Sequence, residues 1–204
     1  MVKDGYYYGL GLLVTAGVAW YLMHSRGMTG IIVLLALFFL WFFRDPNRTI
    51  PTEANLAVSP ADGKVTECEW IQTEQGGRLR ISIFLSVFDV HVNRTPIAGT
   101  VTGVEYRKGG FMNAMNPECV MFNEQTLVVV NDGRVEVAFK LIAGLLARRI
   151  VCNVQPGDIL QRGQRIGLIK FGSRVDVLLP GDAQLMVRKG SRVKGGSSVL
   201  ARLV

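Results

Sequence analysis

Few side chains in this chain can do chemistry. Its 204 residues hold two histidines, His24 and His91, and three cysteines, Cys68, Cys119 and Cys152. The cysteines are far apart and odd in number, with no Cys-x-x-Cys pair and no Cys/His cluster, so neither a metal site nor a disulfide framework is expected. A reducing compartment is the simpler reading of such thiols. The other reactive groups concentrate in three segments: Ser59-Pro60-Ala61-Asp62-Gly63-Lys64-Val65, Phe84 to Pro96 with Asp89-Val90-His91 and Arg94, and Lys170-Phe171-Gly172-Ser173-Arg174-Val175. Read singly, each has a plain structural meaning. Asp62 is an Asp-Gly turn residue. Asp89 suits a cap or a structural hydrogen bond as well as catalysis. A lone histidine beside an apolar run, as at His91, is usually structural, and a Gly-Ser pair such as Gly172-Ser173 is common.

The elements that must position these groups fall in two parts. Hydrophobic residues make up 49% of the chain and charged residues 19%, and the mean hydropathy is +0.28. That is high for a purely soluble protein, while the length suits one domain with an appendage. Gly5–Met23 is uncharged over 19 residues and 28–43 over 16, with only His24-Ser25-Arg26-Gly27 between them. Nineteen helical residues reach about 28 Å, close to a hydrocarbon core. Tyr6, Tyr7, Tyr8, Trp20, Tyr21 and Trp41 lie near the ends of the stretches, as an aromatic belt would. A signal peptide lacks its cleavage site here and would not be followed at once by a second apolar stretch. Residues 1–43 are therefore expected to form a helical hairpin that anchors the chain to a membrane, spanning or dipping in. The alternative is a buried hairpin of a soluble domain. Lys3, Arg44 and Arg48 flank the hairpin against Arg26 in its turn, which places both ends and the following domain in the cytoplasm, at the cell membrane. His24 lies in the turn, away from the expected chemistry.

Residues 44–204 read as mainly β. Leu79–Phe84, Thr126–Val130, Val135–Phe139 and Val175–Leu179 are short Val/Leu/Phe-rich runs, and Asn131-Asp132-Gly133 between two of them is a hairpin turn. Leu141–Ile150 fits a short helix or a buried strand. A repeat runs at a spacing of 33 residues: Val154/Val187, Gly157/Gly190, Leu160/Val193, Gly163/Gly196 and Ile166/Val199. Two glycine turns flank a short strand in each copy, so two similar β units are expected about a pseudo-twofold axis. This spacing resembles the halves of a biotinyl/lipoyl-type barrel sandwich, in which a modified lysine lies on the connecting hairpin. Here that connection carries Lys170.

Charge is uneven. Residues 44–143 carry 10 basic and 12 acidic side chains, and residues 144–204 carry 11 and 3. The basic C-terminal third favours an anionic partner, lipid or nucleic acid. No nucleic-acid motif accompanies the basic residues, so nucleic acid is not expected.

The three segments, in this order behind a hydrophobic anchor and with Asn123-Glu124-Gln125 between them, resemble the phosphatidylserine decarboxylases in their short bacterial and archaeal form, archaetidylserine decarboxylases included. The resemblance covers essentially the whole chain. It implies self-cleavage: the Ser173 hydroxyl attacks the Gly172 carbonyl, an ester forms, and β-elimination leaves a dehydroalanine that hydrolyses to a pyruvoyl group. The products are a β chain, 1–172, and an α chain, 173–204, held as a heterodimer that can dimerise further. The covalently bound pyruvoyl group forms a Schiff base with the substrate amine and delocalises the electrons left by CO₂, turning phosphatidylserine into phosphatidylethanolamine.

The resemblance also assigns roles. Ser173 is the nucleophile and cofactor precursor. His91, in Asp-x-His, is an acid/base in decarboxylation or cleavage. Asp62 orients or polarises a base, and Asp89 is a further catalytic candidate. Longer relatives carry a second histidine where this chain has Arg94, and a guanidinium is a poor base. Either His91 serves both reactions, or Arg94 stabilises an oxyanion while another group takes the proton. Phe111–Met115 is a loop that either dips toward acyl chains or packs on the core. Arg107, Lys108, Arg148, Arg149 and Arg174 are the candidates for the lipid phosphodiester. A different reading is a non-enzymatic, membrane-tethered carrier or adaptor that uses Lys170.

Overall fold

The computed structural model describes residues 2–73, 76–145, 149–170 and 172–204. Two compact units divide it, Met1–Asn47 and Arg48–Val204. The first is a helical hairpin of α1 (Lys3–Met23) and α2 (Arg26–Phe42). The turn forms where expected. His24 ends α1 in the left-handed region at φ 49°, and its N–H donates to the Trp20 carbonyl. Ser25 then caps α2 by accepting from the Met28 N–H. Gly9 lets the helices approach, since a methyl there would overlap the Leu40 side chain. Tyr8 packs its ring 5.6 Å from Phe39 and 5.7 Å from Phe43. Neither helix is long and apolar enough to cross a membrane.

The second unit is mainly β. It opens with β1 (Leu56–Val58), β2 (Gly63–Thr73) and β3 (Gly76–Leu85). β4 (Val92–Arg94), β5 (Gly99–Arg107), the single helical turn α3 (Cys119–Phe122) and β6 (Gln125–Asn131) follow. Next come β7 (Glu136–Ile142), β8 (Ile150–Cys152), β9 (Ile159–Leu160) and β10 (Arg165–Ile169). The chain closes with β11 (Ser173–Pro180), β12 (Gln184–Leu185), β13 (Arg192–Val193) and β14 (Val199–Arg202). One curled half-barrel sheet has the order β13-β2-β3-β11-β7-β6-β5-β9, and two three-stranded sheets have the orders β1-β14-β12 and β4-β10-β8. The ambiguous Leu141–Ile150 stretch resolves as the end of β7 and the start of β8, with no helix described between them.

These orders are symmetric. The expected repeat appears as β9/β13 and β10/β14, with Gly157 and Gly190 at φ 97° and 93° and Gly163 and Gly196 at 73° and 79°. The strands they pair with repeat as well. Ser59-Pro60 before Gly63 matches Thr95-Pro96 before Gly99. The Ser59 hydroxyl donates to the Ala61 carbonyl at 2.6 Å, and the Thr95 hydroxyl to that of Ile97 at 2.7 Å. Val58 N–H donates to the Pro96 carbonyl and Arg94 N–H to that of Pro60, each at 2.9 Å. A Cβ at Gly63 would lie 2.2 Å from the Phe84 oxygen, and one at Gly99 2.4 Å from the Asn131 oxygen. Both glycines exist for a close backbone approach.

β11 lies at the centre, between β3 and β7, near the pseudo-twofold axis. Val175, Val177 and Leu179 are fully buried against Ile81, Ile83, Phe139 and Leu141. Each such side chain contributes about 1.5–3 kcal/mol when removed from water. The other face of β11 holds an ion cluster. Arg174, 2% exposed, donates to Asp176 at 2.6 Å, to Glu67 at 2.7 Å and to the Ser82 hydroxyl at 2.7 Å. Burial alone would lower the pKa of this guanidinium, but the hydrogen bond and charge of Asp176, with Glu67 beside it, hold it above its ordinary value.

Without Asp176, its only buried charged partner, Arg174 would keep only the partly exposed Glu67. Asp176→Ala is therefore expected to destabilise the second unit by about 3–5 kcal/mol. Denaturant unfolding followed by far-ultraviolet circular dichroism measures this, and an unchanged midpoint would refute it.

Candidate active site

Ser173 is the first residue of β11 and pairs with Leu85 of β3. It is fully buried, and its Oγ has no hydrogen-bond partner among the described residues. A buried hydroxyl without a partner costs about 1–3 kcal/mol. Gly172 before it stands at φ +30°, where glycine is favoured, so the backbone turns sharply at this bond. Phe171 lies outside the described residues.

Two connections gather at this end of β11. Residues 108–124 join β5 to β6, whereas the pseudo-equivalent β2 and β3 are joined across 74–75. Residues 143–149 join β7 to β8, whereas 181–183 suffice between β11 and β12. A cleft of about 350 Å³ opens between them, lined by Phe84, Ser86, Val87, Phe88, Asn113, Ala114, Leu145 and Gly172. Its wall is largely apolar, and Gly172 lies on it, with Ser173 buried directly behind. A larger groove of about 640 Å³ lies over the sheet, lined by Arg78, Glu136, Lys140 and neighbouring residues, and Gly172 is not among them.

Asn123 fixes the longer connection. Its amide donates to the Met112 and Ala143 carbonyls at 2.9 and 2.7 Å and accepts from the Met112 N–H at 2.8 Å. Ala143 N–H in turn donates to the Glu124 carbonyl at 2.9 Å. The next residue, Gly144, lies against the Gly172 carbonyl and the Ala114 methyl. Cys119 packs below with its thiol pKa raised, chiefly by burial.

His91 is 2% exposed, one residue before β4, and its carbonyl accepts from Ile169 N–H at 3.3 Å, four residues before Ser173. Asp62 is clamped by Arg48, whose Nη2 lies 2.9 and 2.7 Å from its two oxygens, and it also accepts from Gly195 N–H at 2.8 Å. Arg94 is 6% exposed and donates to the Gly163 carbonyl at 3.0 Å. Asp62 and Arg94 lie against neighbouring residues, Gly195 and Gly196. Asp89 closes the cleft-lining turn, accepting from Ser86 N–H at 2.8 Å and its hydroxyl at 2.7 Å, with Arg192 3.4 Å away. Lys170 is half-buried, and its N–H donates to the Arg149 carbonyl.

One expectation needs correcting. Arg174 does not serve a lipid phosphate, because it is 2% exposed and its Nε and Nη2 are held by Asp176, Glu67 and Ser82. Arg107 braces the 108–124 connection through the Val120 and Met121 carbonyls. Lys108 and Arg149 are exposed, and Arg148 lies outside the described residues. Asn93 was given no role from sequence. It is fully buried, and neither atom of its amide has a partner among the described residues. Its place two residues after His91 is the only signal the sequence offers.

A family model described as phosphatidylserine decarboxylase matches residues 35–201. The chain belongs to the phosphatidylserine decarboxylase family. Within it, the chain is 51% identical to the phosphatidylserine decarboxylase proenzyme of Solibacter usitatus, covering 99% of this chain and 96% of that one. It is 46% identical to the proenzyme of Symbiobacterium thermophilum, covering 100% and 95%. For that of Carboxydothermus hydrogenoformans the identity is 40%, over 100% and 96%. The protein is thus a phosphatidylserine decarboxylase-family enzyme made as a proenzyme.

Asn123 offers a direct check on how the cleft is built. Asn123→Ala removes three hydrogen bonds, and the Met112 amide is expected to exchange with solvent at least about tenfold faster, the equivalent of roughly 1.4 kcal/mol of local stability. Hydrogen exchange read by mass spectrometry on peptides spanning 108–124 would show it. Unchanged protection would mean that other contacts hold the loop.

Proposed function

We propose that this enzyme decarboxylates phosphatidylserine to phosphatidylethanolamine, using a pyruvoyl group that it makes from its own Ser173. The observation that carries the reading is the buried, unpartnered Ser173 hydroxyl behind a glycine at φ +30°, on the wall of an apolar cleft. The names of the relatives supply the substrate, and the apolar cleft suits a molecule with acyl chains.

Self-cleavage begins when Ser173 Oγ attacks the Gly172 carbonyl carbon. The Ser173 nitrogen leaves with a proton, and the amide becomes an ester. Removal of the Ser173 Cα proton then expels Gly172 as a carboxylate and leaves dehydroalanine. Uptake of water and loss of ammonia give the pyruvoyl cap. His91 is the acid/base for proton movement at this site, and Arg94, as a fixed cation, supports an oxyanion but takes no proton. Asp62, held by Arg48, keeps the Gly195–Gly196 turn in place beside Arg94. Asp89 holds the Ser86–Phe88 turn that forms one wall of the cleft.

The site fits the group. β11 is paired on both sides from its first residues, so a cap at position 173 stays at the end of a rigid strand after the chain is cut. For the same reason the β and α chains remain together. The pyruvoyl carbonyl supplies the electron-accepting centre that loss of CO₂ from an α-amino acid requires. The protein acts at the cytoplasmic face of the cell membrane. Val14, Tyr21, Ile31 and Leu34 of the hairpin are each more than half exposed, which supports an apolar contact there.

Intact-mass measurement of the full chain is expected to give two fragments, 1–172 and 173–204, the smaller one lacking an amino-terminal amine. Ser173→Ala should remain one chain and form no phosphatidylethanolamine. A single chain that decarboxylates phosphatidylserine would overturn the proposal, and a single chain heavier by a group on Lys170 would favour the carrier. Assaying ester-linked and ether-linked serine lipids side by side defines the lipid class.

A further inference from the structure

We infer that Gly144 is a positioning residue for self-cleavage, an inference that rests on the function proposed above. In the β7–β11 ladder Ile142 faces Arg174, so two residues further on Gly144 faces Gly172. A Cβ at position 144 would stand 2.0 Å from the Gly172 carbonyl oxygen, 3.1 Å from its carbon and 3.2 Å from the Ala114 methyl. The Gly144 Cα is therefore in contact with the oxygen on which negative charge develops when Ser173 attacks. Any side chain at this position must push that oxygen, or the end of β7, by about 1 Å to reach a normal separation.

The two facing glycines serve different purposes. At Gly172 a Cβ would meet nothing within 4 Å, so glycine answers only the backbone angle. At Gly144 no positive φ is imposed, and glycine answers only the approach of the carbonyl. The architecture itself does not ask for this pair. The pseudo-twofold axis passes close to the Val177/Phe139 pair and carries position 144 onto Asp182 and position 172 onto Arg134. At the opposite end of the ladder neither position is glycine. At the end where Ser173 sits, both are glycine, and Gly144 lies in the 143–149 connection, which is longer than its counterpart 181–183 in the other half.

Attack needs the carbonyl carbon turned toward Oγ at contact distance. A displacement of about 1 Å is the kind that slows such a step roughly 100-fold. Gly144 acts through the position of the Gly172 carbonyl and touches no substrate.

The test follows the cleavage of full-length chain over time by intact mass. Gly144→Ala is expected to cleave roughly 100-fold more slowly than the parent. In the Ser173→Ala background, where cleavage is absent, adding Gly144→Ala should shift the melting temperature by no more than about 3 °C. Cleavage of Gly144→Ala within about threefold of the parent rate overturns the inference. So does a fall of more than about 10 °C in the Ser173→Ala background, since the glycine would then serve folding. If the parent itself does not cleave at Gly172–Ser173, the proposed function fails, and that outcome is distinct from the other two.

Discussion

The structure depends on holding both sides of one peptide bond. On the C-terminal side, Ser173 and Arg174 enter β11, which is paired to β3 and to β7 and lies in the middle of the sheet. Arg174 is tied below the sheet by Asp176, Glu67 and Ser82. On the N-terminal side, the Gly172 carbonyl is pressed against Gly144. A hydroxyl and a carbonyl on adjacent residues of a flexible loop meet in the right geometry only rarely. Here the strand and the glycine contact fix one group each, and the entropy cost is met by the folding of the whole sheet.

The pseudo-twofold explains why the site is where it is. Two copies of one β arrangement build the scaffold, down to matching turn glycines and matching Ser59 and Thr95 hydroxyl bonds. Neither copy has a cleft by virtue of its repeat. The cleft comes from what breaks the repeat, the 108–124 and 143–149 connections, which both belong to the half that contains His91 and Arg94. Asp62 comes from the other half, where its pseudo-equivalent is Ala98, which carries no charge. The duplicated part supplies rigidity, and the unduplicated part supplies the cleft.

Much of the fold was legible. The Val/Leu/Phe runs became strands because alternating burial on a sheet face leaves a clear trace, as in Val175, Val177 and Leu179. The 33-residue repeat was legible because turns with positive φ demand glycine, and four glycines keep the spacing. The 36-residue repeat was not, because Ser/Thr and Val/Leu exchange freely and Asp62 and Ala98 differ. Of the candidate site, the motif resemblance pointed to Ser173 and His91, and both are buried in the second unit. Arg174 was not legible, since a basic residue beside Ser173 suits an anionic substrate until its carboxylate partners, one of them 107 residues away, are seen.

By itself the sequence determined most element types, the turns and the family, because each of these is local or is written in a short ordered motif. Only the tertiary structure decided which glycine faces the Gly172 carbonyl, which cation is locked in the core, and which loops enclose the cleft. They rest on contacts between residues as far as 107 positions apart. Sheet register sets them, and register is a property of strands packed together, with no signature in either strand alone.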